Sequence, residues 1–311
     1  MKTKIALLSG GISGEREVSI NTGNQIFEAL DKEKYEVFRY DPKIDLKKFI
    51  VDALDKKFDL VFPALHGPFG EDGKLQGLLD ILGVPYLFSS CLASALAMDK
   101  YKTKIIAEKI GLDVAPSLKI NKNNRYNLEK ITNELSFPIV IKPIELGSSV
   151  GIAIAKNEEE LNEGIKNAFT YDNNILLEKF INGRELTVTI VQDEQNTKAL
   201  PVIEIIPKIS GWFDYKAKYE IGGSDEICPA KIPNKTKEKV QKLAKKIFIE
   251  IGCKDLARAD FIWEEGSDII YFLEINTIPG MTKTSLAPKA AKADGMEFGE
   301  FLDKLISNAL K

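Results

Sequence analysis

The 311-residue sequence is short of several kinds of residue, and each shortage excludes a class of protein. It contains a single histidine, His66, so any mechanism that requires a pair of histidines is excluded. Its three cysteines, Cys91, Cys228 and Cys253, lie far apart and form no C-x-x-C pair. This spacing argues against a zinc site and favours a reducing cytoplasm.

Charge and long apolar runs are also limited. The net charge of -3 favours neither nucleic acid nor an anionic membrane as the main partner. No apolar run is long enough to cross a bilayer, and the N-terminus lacks the apolar stretch of a signal peptide. With 44% hydrophobic and 29% charged residues, we expect a cytoplasmic globular protein of two or three domains.

The first third of the chain alternates predicted strands with predicted helices. Such alternation indicates a parallel sheet with helices on both faces, in which ligands bind at the carboxyl ends of the strands. The predicted strands are 5–8, 36–40, 60–65 and a short one near 85–86, and the predicted helices are 15–30 with its start near Ser13, 45–54 and 74–82.

The rest of the chain is richer in short strands. The predicted strands are 138–143, 151–155, 174–179, 185–191, 199–206, 257–263 and 271–276, and the predicted helices are 99–110 and 235–251. No periodicity marks the stretch from Pro207 to Pro229, and an irregular segment of this length is usually a functional lid or disordered.

The strongest indication of chemistry is a predicted hairpin near the C-terminal end. Residues two apart on a strand point to the same face, so Glu274 and Asn276 share a face, as do Arg258 and Asp260. Two carboxylates and an amide oxygen in apolar surroundings are the donors that magnesium prefers. We therefore predict a metal site formed by Asp260, Glu274 and Asn276; the alternative is a solvated strand face with ordinary ion pairs.

The segment from Gly147 to Gly151 is rich in glycine and serine. Backbone N–H groups and the hydroxyls of such a loop can surround phosphate oxygens, although the G-K-[ST] signature of a Walker loop is missing. Lys142 on the preceding strand and Lys100 at the start of a helix supply cations. By itself the loop is a weak indication, because turns of this composition are common.

Three further places have both a functional and a structural interpretation. Glu178 and Glu185 bracket a turn able to hold an adenine and a ribose, or form an ordinary acidic turn. Glu15 either complements a helix dipole, which spacing alone favours, or binds a substrate ammonium. His66 lies in a Gly-rich loop at the end of a strand, where it is either structural or functional.

Taken together, seven segments resemble the D-alanine–D-alanine ligases of the ATP-grasp superfamily over almost the whole chain. They are GGISGEREVS (10–19), LHGPFGEDG (65–73), MDKYKTK (98–104), KPIELGSSVG (142–151), DYKAKYE (214–220), ARADF (257–261) and LEINTIPGMT (273–282).

The resemblance implies an α/β fold, α+β in parts, with three-domain ATP-grasp architecture. Residues 1–92 would form a Rossmann-like substrate domain, 93–182 the central subdomain, and 183–311 the catalytic domain with a lid at 207–229. The nucleotide would lie between the central and C-terminal sheets.

The resemblance also implies the ligands and their residues. ATP is a substrate, two Mg²⁺ or Mn²⁺ ions bind at the predicted metal site, and two D-alanines are joined for peptidoglycan synthesis. The residues implied at ATP are Lys100, Lys142, Ser149, Glu178, Lys179, Ile181, Glu185 and Lys218. Those implied in catalysis or at D-alanine are Glu15, His66, Ser148, Tyr219, Arg258, Gly280 and Ser285.

The lid segment from Trp212 to Tyr219 combines aromatics with lysines and is interpreted either as an exposed loop or as a closing lid.

Two other functions stay open at this point. One is the same reaction with D-lactate or D-serine as the acceptor. The resemblance argues against this alternative, because Tyr219 favours an amine acceptor. The other is a nucleotide-binding module without turnover. Relatives are commonly homodimers, so we expect a homodimer without nucleic acid or membrane partners.

Overall fold

The computed structural model describes residues 2–193, 196–208, 222–264 and 266–311. The helices in these ranges are α1 Arg16–Ala29, α2 Pro42–Leu54, α3 Lys74–Leu82, α4 Cys91–Met98, α5 Lys100–Lys109, α6 Leu128–Leu135, α7 Glu158–Tyr171, α8 Asn234–Ile251, α9 Leu286–Ala293 and α10 Phe298–Ala309. The strands are β1 Thr3–Leu8, β2 Tyr35–Tyr40, β3 Leu60–Pro63, β4 Asp113–Val114, β5 Ser117–Asn121, β6 Ile139–Pro143, β7 Ala153–Ala155, β8 Asn174–Lys179, β9 Arg184–Asp193, β10 Asn196–Ala199, β11 Ile203–Pro207, β12 Ser224–Ile227, β13 Leu256–Trp263 and β14 Ile270–Asn276.

The first sheet is parallel and has the order β2-β1-β3, which confirms the parallel arrangement predicted from the alternating elements. Its central strand is apolar on both faces, as expected of a strand covered on both sides. Ile5 and Leu7 belong to a core that includes Phe301 of α10, whereas Ala6 and Leu8 pack in a second core with Phe49 of α2. The C-terminal helix thus returns to cover the N-terminal sheet.

The second sheet follows the order β12-β11-β9-β13-β14-β4, with β10 paired to β9. The predicted hairpin of β13 and β14 is confirmed as an antiparallel pair. One face of the sheet packs on α8, where Val240 and Ile247 share a core with Ala257, Ala259 and Phe261 of β13. The opposite face therefore has to carry the polar residues of the same strand.

The third sheet is antiparallel with the order β5-β8-β6-β7. Ile139 and Ile141 of β6 and Ile175 and Leu177 of β8 share a core with α6 and α7. The loop from Gly147 to Gly151 connects β6 with β7, which pair as a hairpin. The three sheets fall within residues 3–63, 113–276 and 117–179, while the domain boundaries at 92 and 182 stay a prediction.

Several predicted boundaries were wrong, and the short strand predicted near 85–86 is only an isolated bridge between Val61 and Tyr86. The predicted strand 199–206 is interrupted between β10 and β11 at Pro201, which has no N–H to offer a neighbouring strand. The strand predicted at 60–65 ends at Pro63, and the chain then enters the loop that carries His66.

Two further errors lie at a helix start and in the predicted irregular stretch. Helix α1 begins at Arg16 rather than near Ser13, because the Ser13 hydroxyl donates to the His66 carbonyl at 2.6 Å. Ser224–Ile227 lies inside the stretch predicted to be irregular, yet it pairs with β11 as an edge strand. Its polar sequence has no alternation that would have revealed this.

Within the described residues, no helix has the combination of length and apolar character needed to span a membrane.

Candidate active site

Strand β13 presents its polar residues on the face away from α8. Arg258 and Asp260 alternate with the fully buried Ala257, Ala259 and Phe261. This is the face that the sequence predicted for the two charged residues, because side chains alternate along a strand.

Strand β14 brings its polar residues opposite those of β13 by means of a β-bulge. Asp260 pairs with Glu274 and Arg258 with Asn276, but the register shifts between Asp260 and Phe261. Phe272 is therefore in the core while Glu274, two residues later, lines the polar face. A bulge redirects side chains in this way and is common beside functional sites.

Arg258 and Asp260 form a tight buried pair. The guanidinium donates to Asp260 through Nε at 2.9 Å and through a terminal nitrogen at 2.8 Å, and Thr187 donates to the same carboxylate at 2.5 Å. Burial opposes the charge of Arg258, but the carboxylates of Asp260 and Glu274 outweigh it and raise its pKa. Arg258 is therefore a permanent cation with a fixed orientation.

The predicted metal ligands fit a hard cation in donor type. A carboxylate has about four acceptor positions, and the described partners of Asp260 use three of them. The Asn276 side-chain oxygen accepts from the Ile278 N–H at 2.9 Å, which orients it on the same edge. No group of three or more His, Cys, Asp and Glu in the described ranges is arranged for a metal, so an ion here would use the Asn276 amide or ligand oxygens as well.

Glu15 is held between two loops that approach from different parts of the chain. Ser148 donates its hydroxyl to Glu15 Oε1. An added Cβ at Gly67 would lie 2.6 Å from Glu15 Oε2, and one at Gly147 would lie 3.3 Å away. Glycine at both positions leaves the space that the carboxylate occupies, and Gly67 also has a φ of +73°.

His66 is buried and neutral at physiological pH. Burial and the nearby charge of Arg258 lower the pKa of His66 from its usual 6.5 to about 4. Its Nε2 lies 3.1 Å from the Thr22 hydroxyl. The imidazole therefore adds a polar but uncharged group to the site.

Helix α5 directs two lysines, one turn apart, into the site. Asp99 caps the helix by accepting from the Lys102 N–H at 2.9 Å. Lys100 Nζ donates to the Leu146 carbonyl at 2.6 Å and lies 3.4 Å from Glu274. Lys104, four residues on and so on the same helix face, reaches Glu178 instead.

Glu178 is the centre of a buried charge cluster, defined as Lys104, Glu178 and Lys142. One carboxylate oxygen forms an ion pair with Lys104 and the other with Lys142, and the Glu178 side chain is only 2% exposed. Burial opposes its charge, but the two lysines outweigh burial and lower the pKa of Glu178. Burial also lowers the pKa of Lys104, against the attraction of Glu178.

A cavity of about 370 Å³ lies between the N-terminal loops, α5 and the polar edge of β14. It brings together residues predicted from six separate segments of the chain. The predicted residues that line it are Glu15, His66, Lys100, Ser148, Arg258, Glu274, Asn276, Gly280 and Ser285.

The remaining predicted residues lie elsewhere or outside the described ranges. Those that do not line the cavity are Lys142, Ser149, Glu178, Lys179, Ile181, Glu185 and Asp260. Ser148 and Ser149 have φ values of 51° and 58°, a left-handed conformation that is uncommon for serine and concentrated at functional loops. Lys218 and Tyr219 lie outside the described residues.

Sequence reasoning missed Lys104 and Glu71. Lys104 stands four residues after Lys100 on a predicted helix, so helical spacing was a usable signal. Glu71 lies in the loop after β3 that contains His66, and it lines the cavity with its side chain buried. The only sequence signal for Glu71 was its position in a Gly-rich loop.

Two family models match the chain. The model described as D-ala D-ala ligase C-terminus matches residues 106–307, and that described as D-ala D-ala ligase N-terminus matches residues 39–89. The D-alanine–D-alanine ligase of Syntrophobacter fumaroxidans is 45% identical over all of this chain and 98% of its own length. That of Pelotomaculum thermopropionicum is 42% identical over all of this chain and 98% of its own.

Solved structures show the same likeness. The crystal structure of the D-alanine–D-alanine ligase from Bacillus anthracis complexed with ATP has a TM-score of 0.86 at 34% identity, covering 99% of this chain and 97% of that one. The VanG D-Ala:D-Ser ligase from Enterococcus faecalis has a TM-score of 0.84 at 31% identity, covering 99% and 100%. With its sheets and its cavity in this arrangement, and with relatives this similar along their whole length, the chain belongs to the D-alanine–D-alanine ligase family.

Proposed function

We propose that this protein joins two D-alanines into D-alanyl-D-alanine, with cleavage of ATP to ADP and phosphate. The observation that carries the proposal is the cavity in which Glu15, His66, Lys100, Arg258 and Ser285 meet. Its carboxylates can bind the ammonium group of an amino acid, and its fixed cations can bind carboxylates and phosphates. The ligation of two amino acids requires both kinds of group.

The chemistry needs the carboxylate of the first D-alanine to be activated. A carboxylate is a poor acceptor for an amine because an oxide or hydroxide would have to leave. Transfer of the γ-phosphoryl group to that carboxylate gives an acyl phosphate, whose phosphate is a good leaving group. The amine of the second D-alanine then attacks the acyl carbon.

The cations of the site stabilise the negative charge of both steps. Lys100 and Lys142, with Lys218 of the lid, would contact the phosphates, and Ser149 would add a donor from its loop. Arg258 and the Gly280 N–H would face the oxyanion of the tetrahedral intermediate, an effect of about 3 to 4 kcal/mol per donor. Lys179, Ile181 and Glu178 would lie at the adenine and Glu185 at the ribose.

Asp260, Glu274 and Asn276 would hold two divalent cations, Mg²⁺ or Mn²⁺. These ions offset the charge of the phosphates when bound. Both carboxylates already face cations in the structure, Arg258 for Asp260 and Lys100 for Glu274. The protein's own cations thus balance the acidic edge.

Glu15 would receive the ammonium of the first D-alanine, near His66. Its bond from Ser148 links it to the loop between β6 and β7, and Tyr219 would complete this set when the lid closes. Ser285 would contact the carboxylate of the second D-alanine. Ser285 Oγ accepts from the Thr282 N–H at 3.1 Å, which orients it at the start of α9. Because the reaction consumes ATP and small metabolites, we place the protein in the cytoplasm. We also propose that it is a homodimer, as its relatives commonly are.

The test is a phosphate-release assay with ATP, magnesium and a panel of D-amino acids and D-lactate, followed by identification of the product. We expect D-alanine to give the highest rate and D-alanyl-D-alanine to be the product. Predominant ester or D-alanyl-D-serine would assign another acceptor, and nucleotide binding without turnover would indicate a binding module.

Two variants make the assay specific. Glu274→Gln keeps the shape of the side chain and removes its charge, so it should fold and lose turnover. Asp268→Asn is the matched control, because Asp268 lies exposed at the turn of the same hairpin, where it pairs with Lys235. It should retain full activity, and retained activity in Glu274→Gln would remove Glu274 from the metal site.

A further inference from the structure

Glu71 is a buried carboxylate with a hydrogen bond to only one of its two oxygens among the described residues. Oε2 accepts the Gly67 N–H at 2.7 Å, which ties the loop after β3 together. Oε1 is buried and has no hydrogen-bond donor among the residues that the structure describes. The residue is 8% exposed and lines the cavity.

A purely structural role does not account for the second oxygen. The neighbouring Asp72 does have such a role, since its two oxygens accept the N–H groups of Phe69 and Lys74 and the Lys74 ammonium. Leaving a buried acceptor without a donor destabilises the folded protein. Oε1 of Glu71 therefore has the properties of a group whose partner arrives with the substrate.

The surroundings of Glu71 favour a cationic partner. Glu15, at the start of α1, and Glu274, on β14, add negative charge, whereas Arg258 on β13 opposes them. His66, on the same loop, is neutral. Burial, followed by the charge of Glu15, raises the pKa of Glu71 to about 8.

We propose that Glu71 is a further catalytic residue, whose Oε1 accepts the proton that the ammonium of the second amino acid must lose before it attacks the acyl phosphate. The inference rests on the proposed ligase function. One N–H bond breaks and one O–H bond forms, which leaves a neutral amine and a protonated Glu71. The nitrogen lone pair then forms the C–N bond, the C–O bond to phosphate breaks, and a second nitrogen proton leaves with the phosphate.

Other carboxylates of the cavity are less suited to this step. Glu15 Oε1 is engaged by the Ser148 hydroxyl, and Glu15 is the proposed partner of the first ammonium. Glu274 faces Lys100 and the proposed metal site. A proton acceptor works best when its pKa lies near the working pH, and Glu71 meets this condition.

The test is the near-isosteric variant Glu71→Gln, whose amide oxygen can still accept the Gly67 N–H. We expect dipeptide formation at pH 7 to fall about 100-fold, the lower end of the usual contribution of a positioned base. Because the variant must use acceptor that is already neutral, its defect should shrink as the pH rises. A defect of constant size from pH 7 to pH 9.5 would contradict the proposal.

A second readout separates the proton transfer from the first half-reaction. Hydroxylamine is neutral at pH 7 and attacks acyl phosphates without losing a proton to a base first. With D-alanine, ATP and hydroxylamine, Glu71→Gln should form the hydroxamate at a rate close to that of the unaltered protein. Equal losses of hydroxamate and dipeptide would assign Glu71 to activation or binding and overturn the proposal.

Stability gives a readout that does not depend on activity. Because the folded-state pKa of Glu71 is raised above its usual 4.5, its ionisation costs stability increasingly as the pH rises from 4.5 to about 8. Glu71→Gln should therefore unfold at a higher temperature than the unaltered protein at pH 8. A lower unfolding temperature would show that Glu71 is mainly structural.

Asp72→Asn, the adjacent loop variant, is the control and should keep dipeptide formation at the level of the unaltered protein. If the unaltered protein itself produces neither phosphate nor hydroxamate with D-alanine, the ligase function fails. If it is active and Glu71→Gln makes dipeptide at the same rate, only the inference about Glu71 fails.

Discussion

Two neighbouring groups of charged side chains in this molecule are organised in opposite ways. In the buried charge cluster, Glu178 has a lysine on each carboxylate oxygen before any ligand binds. In the cavity, Glu71 has a buried oxygen without a donor among the described residues, and His66 is held neutral. The members of the cluster form ion pairs with one another, whereas the buried oxygen of Glu71 has no such partner among the described residues.

This difference assigns the two groups to different kinds of work. Removing one member of a buried cluster held by ion pairs leaves an uncompensated charge, so the loss should appear first in stability. Removing a group whose partner is a ligand costs the folded protein little and should appear in catalysis or in the pH dependence of stability. Substitutions in each group test this assignment.

The largest effect is expected for Glu178→Gln. The variant leaves Lys104 and Lys142 buried beside each other with like charges, and such a broken pair typically costs about 3–5 kcal/mol. The measurement is the free energy of unfolding from a urea titration. Glu163→Gln, on the exposed face of α7 beside the same sheet, is the control and should change it by less than about 0.5 kcal/mol.

The double variant Glu178→Gln/Lys104→Met sharpens this test. It removes one of the two like charges, so it should regain much of the stability that the single variant loses. A single variant as stable as the unaltered protein would mean that the cluster is solvated, and the contrast with the cavity would disappear.

A smaller effect is expected from the titration of His66. Its folded-state pKa of about 4 lies below its usual 6.5, so the unfolded chain binds the proton more readily. The stability contributed by neutral His66 is therefore complete above pH 6.5 and is lost as the pH falls to about 4. The shift corresponds to at most about 3 kcal/mol.

The measurement compares the unaltered protein with His66→Gln at pH 7, 5.5 and 4. The difference in unfolding free energy should move in favour of the variant as the pH falls, since glutamine does not titrate. Two curves that stay parallel from pH 7 to pH 4 would show that His66 is accessible to water and protonated in the folded protein.

The hairpin of the site can be predicted from the sequence because the alternation of its side chains is a local pattern. Arg258 and Asp260 alternate with small or apolar residues, and this alternation alone predicts which face they occupy. The parallel sheet of the first third follows in the same way from the order of strands and helices. Segments with strong periodicity and buried faces therefore allow prediction without tertiary information.

What escaped prediction depends on contacts between distant residues. Nothing local to Glu178 indicates that Lys104, 74 positions earlier, lies against it; only the packing of α5 on the sheets brings them together. The bulge after Asp260 and the edge strand Ser224–Ile227 likewise depend on a partner strand. The unpartnered oxygen of Glu71 is a property of the completed cavity, which no single segment contains.

The smallest effect is expected for Lys179→Ala, beside Glu178 on the same strand. Successive residues of a strand point to opposite faces, and Lys179 is exposed where Glu178 is buried. Its backbone N–H donates to the Pro116 carbonyl at 2.9 Å, a bond that alanine preserves.

If Lys179 contacts the nucleotide through its backbone, the Lys179→Ala variant should change the KM for ATP by less than about threefold, as expected of an exposed charge. The matched variant Lys156→Ala, exposed after β7 of the same sheet, should behave alike. An increase of tenfold or more for Lys179→Ala alone would mean that its side chain turns toward the phosphates, so that the cationic surface around ATP extends beyond the lysines that Glu178 holds in place.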